Sequence, residues 1–130
     1  MAGGDGRRCM QRAARLRRNA DFQRVRAARR SWAHPLLVLY VAPNDNLAPR
    51  VGISVGKRVG GAVVRNRVRR RVREAVRLRM PELRSGQDLV FIARPPSAEA
   101  DWPTLRGATE GLLRRARILS GTQQVVGSGQ

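Results

Sequence analysis

The residues of this chain best suited to chemistry are arginines on a periodic scaffold. The densest stretch reads Lys57-Arg58-Val59-Gly60-Gly61-Ala62-Val63-Val64-Arg65-Asn66-Arg67-Val68-Arg69-Arg70-Arg71-Val72-Arg73-Glu74-Ala75, with Glu74 its one acid. Val64, Val68, Val72, Ala75 and Val76 recur at helical spacing and define one apolar stripe. At about 100° per residue, Arg65, Arg69 and Arg73 then form a row beside the stripe. Asn66, Arg70 and Arg77 flank that row, while Arg67 and Arg71 fall on the other side. Guanidinium groups present planar forks of donors that match phosphate oxygens, so two basic ridges held by one helix are suited to gripping a polyanion.

A catalytic set does not accompany them. His34 is the sole histidine and stands before Pro35 at the entrance to an apolar run, a weak position for a ligand or base. The acids are few and scattered, which leaves a two-metal nuclease centre without its clustered carboxylates. A single cysteine, Cys9, excludes an intramolecular disulfide and a multi-cysteine zinc site. The chemistry legible here is binding.

A chain of 130 residues is enough for one domain with a real core. Its 27 basic residues against 9 acids give a net charge of +18, which would repel itself in a free monomer and points to nucleic acid as the counter-charge. Lys57 is the only lysine; base stacking and phosphate recognition favour arginine, and a GC-rich genome would produce the same preference. No apolar run approaches the roughly 20 residues that span a bilayer, and the opening residues lack the apolar core of a signal peptide. The basic excess also continues along the whole chain instead of stopping at a transit-peptide boundary. A reducing cytoplasm is the expected setting, with no membrane partner.

The elements that must position these side chains are legible in outline. Residues 1–15 and 121–130 read as disordered tails around one domain at 16–120. Asn19 is predicted to cap a short helix through about Arg29, with Phe22, Val25 and Ala28 or Arg29 on one face. Residues 36–41 form a β-prone run, followed by the turn cluster Pro43-Asn44-Asp45-Asn46 and the alternation Val51, Ile53, Val55. That pattern predicts a β-hairpin. Gly60 and Gly61 introduce the arginine helix, expected to run about 20 residues until Pro81 stops it. Leu89 to Ala93 reads as a buried strand closed by Pro95 and Pro96. Asp101 then caps a helix carrying Leu105, Ala108, Leu112, Ala116 and Leu119, weakened by Gly107 and Gly111. The result is an α+β class: a single-domain α-β sandwich with helices packed on a small mixed sheet.

At this level of detail the chain resembles the protein subunit of bacterial ribonuclease P, the ribonucleoprotein that removes the 5′ leader from precursor tRNA. The resemblance covers about Leu16 to Leu119. It rests on Leu16-Arg17-Arg18-Asn19-Ala20-Asp21-Phe22-Gln23-Arg24-Val25, on Arg50-Val51-Gly52-Ile53-Ser54-Val55, and above all on the Arg-Asn-Arg motif within Ala62-Val63-Val64-Arg65-Asn66-Arg67-Val68-Arg69-Arg70. The strand ending Ala93-Arg94-Pro95 adds to it. Family membership implies a left-handed crossover in the strand, long helix, strand unit, against the right-handed rule for parallel connections.

The resemblance also implies roles. Arg65, Asn66, Arg67, Arg69, Arg70 and Arg73 match the helix that docks on the catalytic RNA. Phe22 and Tyr40 match aromatic positions of a cleft between the first helix and the sheet that receives the single-stranded leader. Aromatic faces accept any base, worth about 1–3 kcal/mol each, which suits a leader of variable sequence. A position one turn after Phe22, often aromatic in the family, is Arg26 here; its guanidinium plane can stack and also neutralise phosphate. Lys57 and Arg58, between the alternating strand and the helix, fit a bridge between RNA and substrate. The implied partners are the catalytic RNA and precursor tRNA, with no obligate protein partner. Magnesium is the implied cofactor, held mainly by the RNA, which carries out the hydrolysis; no catalytic or metal-binding residue is implied in this chain.

Blander readings stand beside these. Phe22 and Tyr40 serve equally as apolar anchors, Lys57 and Arg58 as ordinary loop charges, Ser54 as a structural residue, and Trp32 and Trp102 as packing or terminus-capping residues. A ribosomal or other structural RNA-binding protein would share the size, charge and tails without needing a leader cleft, and a DNA-compacting protein would prefer duplex DNA to folded RNA. An interfacial membrane helix fits less well, because the apolar stripe lacks bulky anchors.

Overall fold

The computed structural model describes residues 15, 16, 18–44 and 48–119. The tail expected at 121–130, and all of that at 1–15 except Arg15, fall outside the described residues. The first helix, α1, spans Asn19–Ala27. Arg18, extended and without a side-chain cap, holds the N-cap position, so Asn19 is the first helical residue and not the cap. Val25 is fully buried, and Phe22 and Ala28 are half-buried on the same face, as the spacing requires.

Strand β1, Ser31–Ala33, has no counterpart in the sequence reading, since three residues of mixed polarity carry no usable period. It pairs antiparallel with β2, Leu37–Pro43, through a turn in which His34 N–H donates to the Leu37 carbonyl at 2.8 Å. The His34 ring is used there as well: its Nδ1 accepts from Leu36 N–H at 3.0 Å. The hairpin of this fold is therefore β1–β2, and the one expected between residues 36–41 and 51–55 does not form. Strand β3, Arg50–Val55, is separated from β2 by β4, Gln87–Ala93, in the order β1-β2-β4-β3. The reason is burial. Leu89, Val90 and Phe91 are apolar on both faces and wholly inaccessible, and only a central strand is covered on both sides. β4 lies antiparallel to β2 and parallel to β3, with Ile53 opposite Phe91.

The parallel β3–β4 pair is connected through α2, Ala62–Arg77, which has 16 residues instead of about 20. Pro81 acts earlier than its own position suggests: it cannot donate to Arg77, and it disfavours helical backbone at Met80. The chain passes into a 3-10 turn at Met80–Glu82. A second such turn, Pro95–Glu99, precedes α3, Trp102–Arg115, which Asp101 caps as expected by accepting from Thr104 N–H at 3.0 Å.

Helices α2 and α3 cover one sheet face, joining Val68, Val72, Val76, Leu105, Leu112 and Leu113 to Leu37, Leu39, Val51, Leu89 and Phe91 in the main core. Glu110 of α3 ties that helix to the segment just after α2 by accepting from Arg79 Nε at 3.2 Å, and it also takes Arg106 Nε of its own helix at 3.1 Å. On the opposite face α1 covers a smaller cluster of Leu16, Val25, Ala42 and Val90, with Phe22, Ala28, Tyr40 and Ile92 at its margin. The sheet thus has a helix layer on each side. A nine-residue helix is too short to cover its whole face, and this asymmetry leaves a cleft.

Candidate nucleic-acid interface

The stripe of α2 is buried as its spacing predicts, with Val68, Val72, Ala75 and Val76 each at most 1% exposed. That burial fixes the arginines on the outer circumference. Gly60 enters the helix at φ 155, where a Cβ would meet Val64 at 3.0 Å, so the approach is reserved for glycine. Gly61 occupies the N-cap with no side-chain cap, and the first turn holds no acid. Instead Arg65 follows directly, with its Nε buried and unpartnered. Unsatisfied amide groups and the helix dipole favour an anion at such an end and oppose extra cations, so arginine at this position gains nothing from its own helix and suits an anionic partner.

The individual arginines are not equivalent. Arg69 Nη1 donates to Asn66 Oδ1 at 2.7 Å, so Asn66 orients its neighbour on the outer ridge. Arg70 is exposed, and Arg65 and Arg73 are half-exposed along the same side. Arg67 and Arg71, on the second ridge, turn toward the 3-10 segment, donating to the Ala98 and Ala100 carbonyls at 3.2 and 2.8 Å. Glu74 is gripped by Arg77 through bonds of 2.8 and 2.6 Å, which hold its carboxyl below the ordinary value against the opposing effect of burial. Val63, 77% exposed on the first turn, escaped the sequence reading because a lone valine carries no signal there.

The cleft is built on the other sheet face. Register places Val38, Tyr40, Ile92 and Ser54 on the side that α1 only partly covers, and all four are half-buried. Arg26 lies over the Tyr40 ring at 5.8 Å from its centroid, beside a shallow hollow of about 310 Å³. Phe22 packs on the backbone of β3: a Cβ at Gly52 would fall 2.5 Å from Phe22 Cζ. Gly52 is what lets the tip of this ring come so close to the strand. Phe22 thus packs on the apolar cluster under α1, while the hollow beside it is lined by Gln23, Arg26, Ala27 and Tyr40.

One end of the cleft is set by residues the sequence reading missed. Asp88, wholly inaccessible at the start of β4, accepts from Arg50 Nε and Nη2 at 3.0 and 2.9 Å, from Asn44 Nδ2 at 2.6 Å, and from Arg24 Nη2 on α1. Burial pushes this carboxyl up, but the three donors outweigh it and hold it below the ordinary carboxylate value. An acid opening an otherwise apolar strand was the available signal. At the other end β3 runs out past Ser54 into Lys57 and Arg58, both exposed on a turn anchored by buried Val59, and then into the N-terminus of α2. The structure thus gathers Phe22, Arg26 and Tyr40 at the cleft and sets Lys57 and Arg58 in the turn that leads to the arginine ridge.

A small mixed sheet with one half-open face, bordered by an uncapped arginine helix, defines a single-domain α+β protein of the nucleic-acid-binding class. The chain matches the family model for Ribonuclease P over residues 10–117, and it belongs to the ribonuclease P protein family. It is 51% identical to the ribonuclease P protein component of Roseiflexus castenholzii over 113 residues, covering 86% of this chain and 93% of that one. The corresponding protein of Clostridium novyi is 42% identical over 84% of this chain and 98% of its own length. Among solved structures, the RNase P protein of Staphylococcus aureus superposes with a TM-score of 0.78 at 32% identity, covering 83% of this chain and 99% of that one. The RNase P protein of Thermotoga maritima gives 0.71 at 30% identity, over 78% and 96%.

Proposed function

We propose that the chain works as the protein subunit of the endoribonuclease ribonuclease P, binding the catalytic RNA through α2 and the 5′ leader of precursor tRNA through the cleft. The observation that carries this reading is the continuity at the end of β3: Tyr40 and Arg26 line the cleft, and Lys57 and Arg58 lead from its sheet face into the uncapped arginine helix. Arg65, Asn66, Arg69, Arg70 and Arg73 meet RNA phosphates on the outer ridge, and Arg67 meets them from the second ridge. Phe22, Arg26 and Tyr40 hold leader bases without regard to sequence, so that one cleft serves many precursors.

Phosphodiester hydrolysis belongs to the RNA in this reading, as does the magnesium it uses. The chain's own interface does not fit a divalent cation, since its side chains are cations themselves and the nearby carboxylates of Asp88 and Glu74 are saturated by arginine. What the chain supplies is fixed positive charge where two polyanions approach each other, which lowers the magnesium needed for assembly. Among the described residues no helix is long and apolar enough to cross a membrane; the cytoplasm is the proposed setting.

The test is cleavage of a 5′-extended precursor tRNA by a cognate bacterial ribonuclease P RNA at low magnesium. Cleavage only when protein and RNA are both present supports the proposal. RNA binding without stimulation would favour a purely structural RNA-binding role, and cleavage by the protein alone would place the chemistry in this chain.

A further inference from the structure

The sheet face opposite the leader cleft carries a second concavity that none of these roles uses. Trp32 pairs with Leu39 in register and so lies on the α2–α3 side, at the outer edge of the sheet. Between this ring, the start of β4 and the C-terminal turn of α3 lies a cavity of about 490 Å³, lined by Arg30, Trp32, Arg84, Gln87, Arg115 and Arg117 among others. None of its described lining residues is acidic. Arg30 sits over the Trp32 ring at 5.7 Å, and Arg115 Nη1 donates to the Ala33 carbonyl at 2.7 Å, binding the end of α3 to the edge strand.

Two features of this corner work against stability. Gln87 Oε1 is buried with no hydrogen-bond partner, a state that proteins avoid unless something else supplies the donor. Helix α3 ends in a Schellman turn, Ile118 N–H donating to the Leu113 carbonyl and Arg117 N–H to that of Arg114. The left-handed position of that turn, normally glycine, is Arg117 at φ 59. An arginine held there against its backbone preference, in a cavity lined by three further arginines, points to a ligand.

We infer that this corner receives one unpaired nucleotide of RNA, its base against Trp32 and its phosphate among the arginines. The arginines select an anion. The indole adds a stacking surface for a planar ring, with the Arg30 guanidinium lying over it as a second planar group. Only a base outside a helix can enter such a pocket. The inference rests on the proposed function for its supplier of RNA, which is either the RNA subunit or the precursor beyond its leader.

The pocket is tested first without either RNA. In full-length protein carrying Trp102→Phe, adenosine 5′-monophosphate should quench Trp32 emission saturably, and ribose 5-phosphate, lacking a base, should bind about tenfold more weakly. Arg117→Gly should weaken the nucleotide by about tenfold, as loss of a charged contact does. The thermal midpoint of this variant should hold or rise, because it places glycine at the left-handed position. Unsaturable quenching, or equal nucleotide affinity in Arg117→Gly and parent, overturns the inference. In the holoenzyme, Arg117→Gly should raise the Kd of the RNA subunit if that RNA supplies the nucleotide, or of precursor if the substrate does; no change in either overturns the assignment to RNA. Failure of the unsubstituted protein to stimulate cleavage would sink the proposed function and leave the quenching result intact.

Discussion

Arg50 and Asp88 face each other across the β3–β4 ladder through two hydrogen bonds, 3.0 and 2.9 Å, and the same carboxylate takes Arg24 from α1. One buried acid thereby fixes both the first residue of β3 and the helix that roofs the cleft. The arrangement gives α1 a polar attachment to add to its small apolar face, so the geometry of the proposed leader cleft depends on a residue outside it.

Replacing Asp88 by alanine should cost about 2–3 kcal/mol. This lies toward the low end for a broken buried pair, because Arg24 and Arg50 are partly solvated. Urea unfolding at neutral pH checks it. The folded Asp88 carboxyl titrates below its ordinary value, so its stabilisation is complete above the unfolded value of about 4 and is lost as pH falls through the folded one. Asp88→Asn should therefore flatten the decline in stability on the acid side of about pH 4. An unchanged acid limb would remove Asp88 from the account.

Gly52→Ala should push the Phe22 ring off β3 and destabilise the domain by about 1–3 kcal/mol, as overpacking does. In the Gly52→Ala background, Phe22→Ala should cost less than it does alone, since it also removes the clash. A double-mutant cycle of unfolding free energies measures this; additive costs would mean that the two residues do not touch in solution.

The ridges of α2 should separate in a salt titration. Arg65→Gln and Arg69→Gln should each lower the slope of log K against log salt for the catalytic RNA by about 0.7–0.9, with stability little changed. Arg71→Gln should leave the slope nearly unchanged and cost about 1 kcal/mol of stability, because its guanidinium is committed to the Ala100 carbonyl. Equal slope changes at all three positions would mean that Arg71 leaves its carbonyl to meet RNA.

Phe22→Ala with Tyr40→Ala should weaken precursor binding by about 1–3 kcal/mol for each base unstacked and leave mature tRNA binding alone. Arg26→Ala should add a loss of salt dependence, because it contributes charge over the Tyr40 ring. Equal losses for precursor and mature tRNA would reduce these residues to packing.

By itself the sequence determined what is local and periodic. The valine stripe at spacings of three and four fixed which side of α2 is buried and hence where Arg65, Arg69 and Arg73 lie. Asp101 announced its helix, and the double-sided apolar run at Leu89–Ala93 announced a buried strand. The Arg-Asn-Arg motif carried the family. Strand order was decided only in three dimensions: the turn residues after Pro43 favour a hairpin, but a strand apolar on both faces must lie in the middle of the sheet, so β4 enters between β2 and β3. The meeting of Asp88 with Arg24 and Arg50, and of Phe22 with Gly52, likewise joins residues distant in the chain. No local pattern encodes such pairs. They arise when sheet register and helix packing bring two elements together, and the cleft is the part of one sheet face that a helix of nine residues cannot cover.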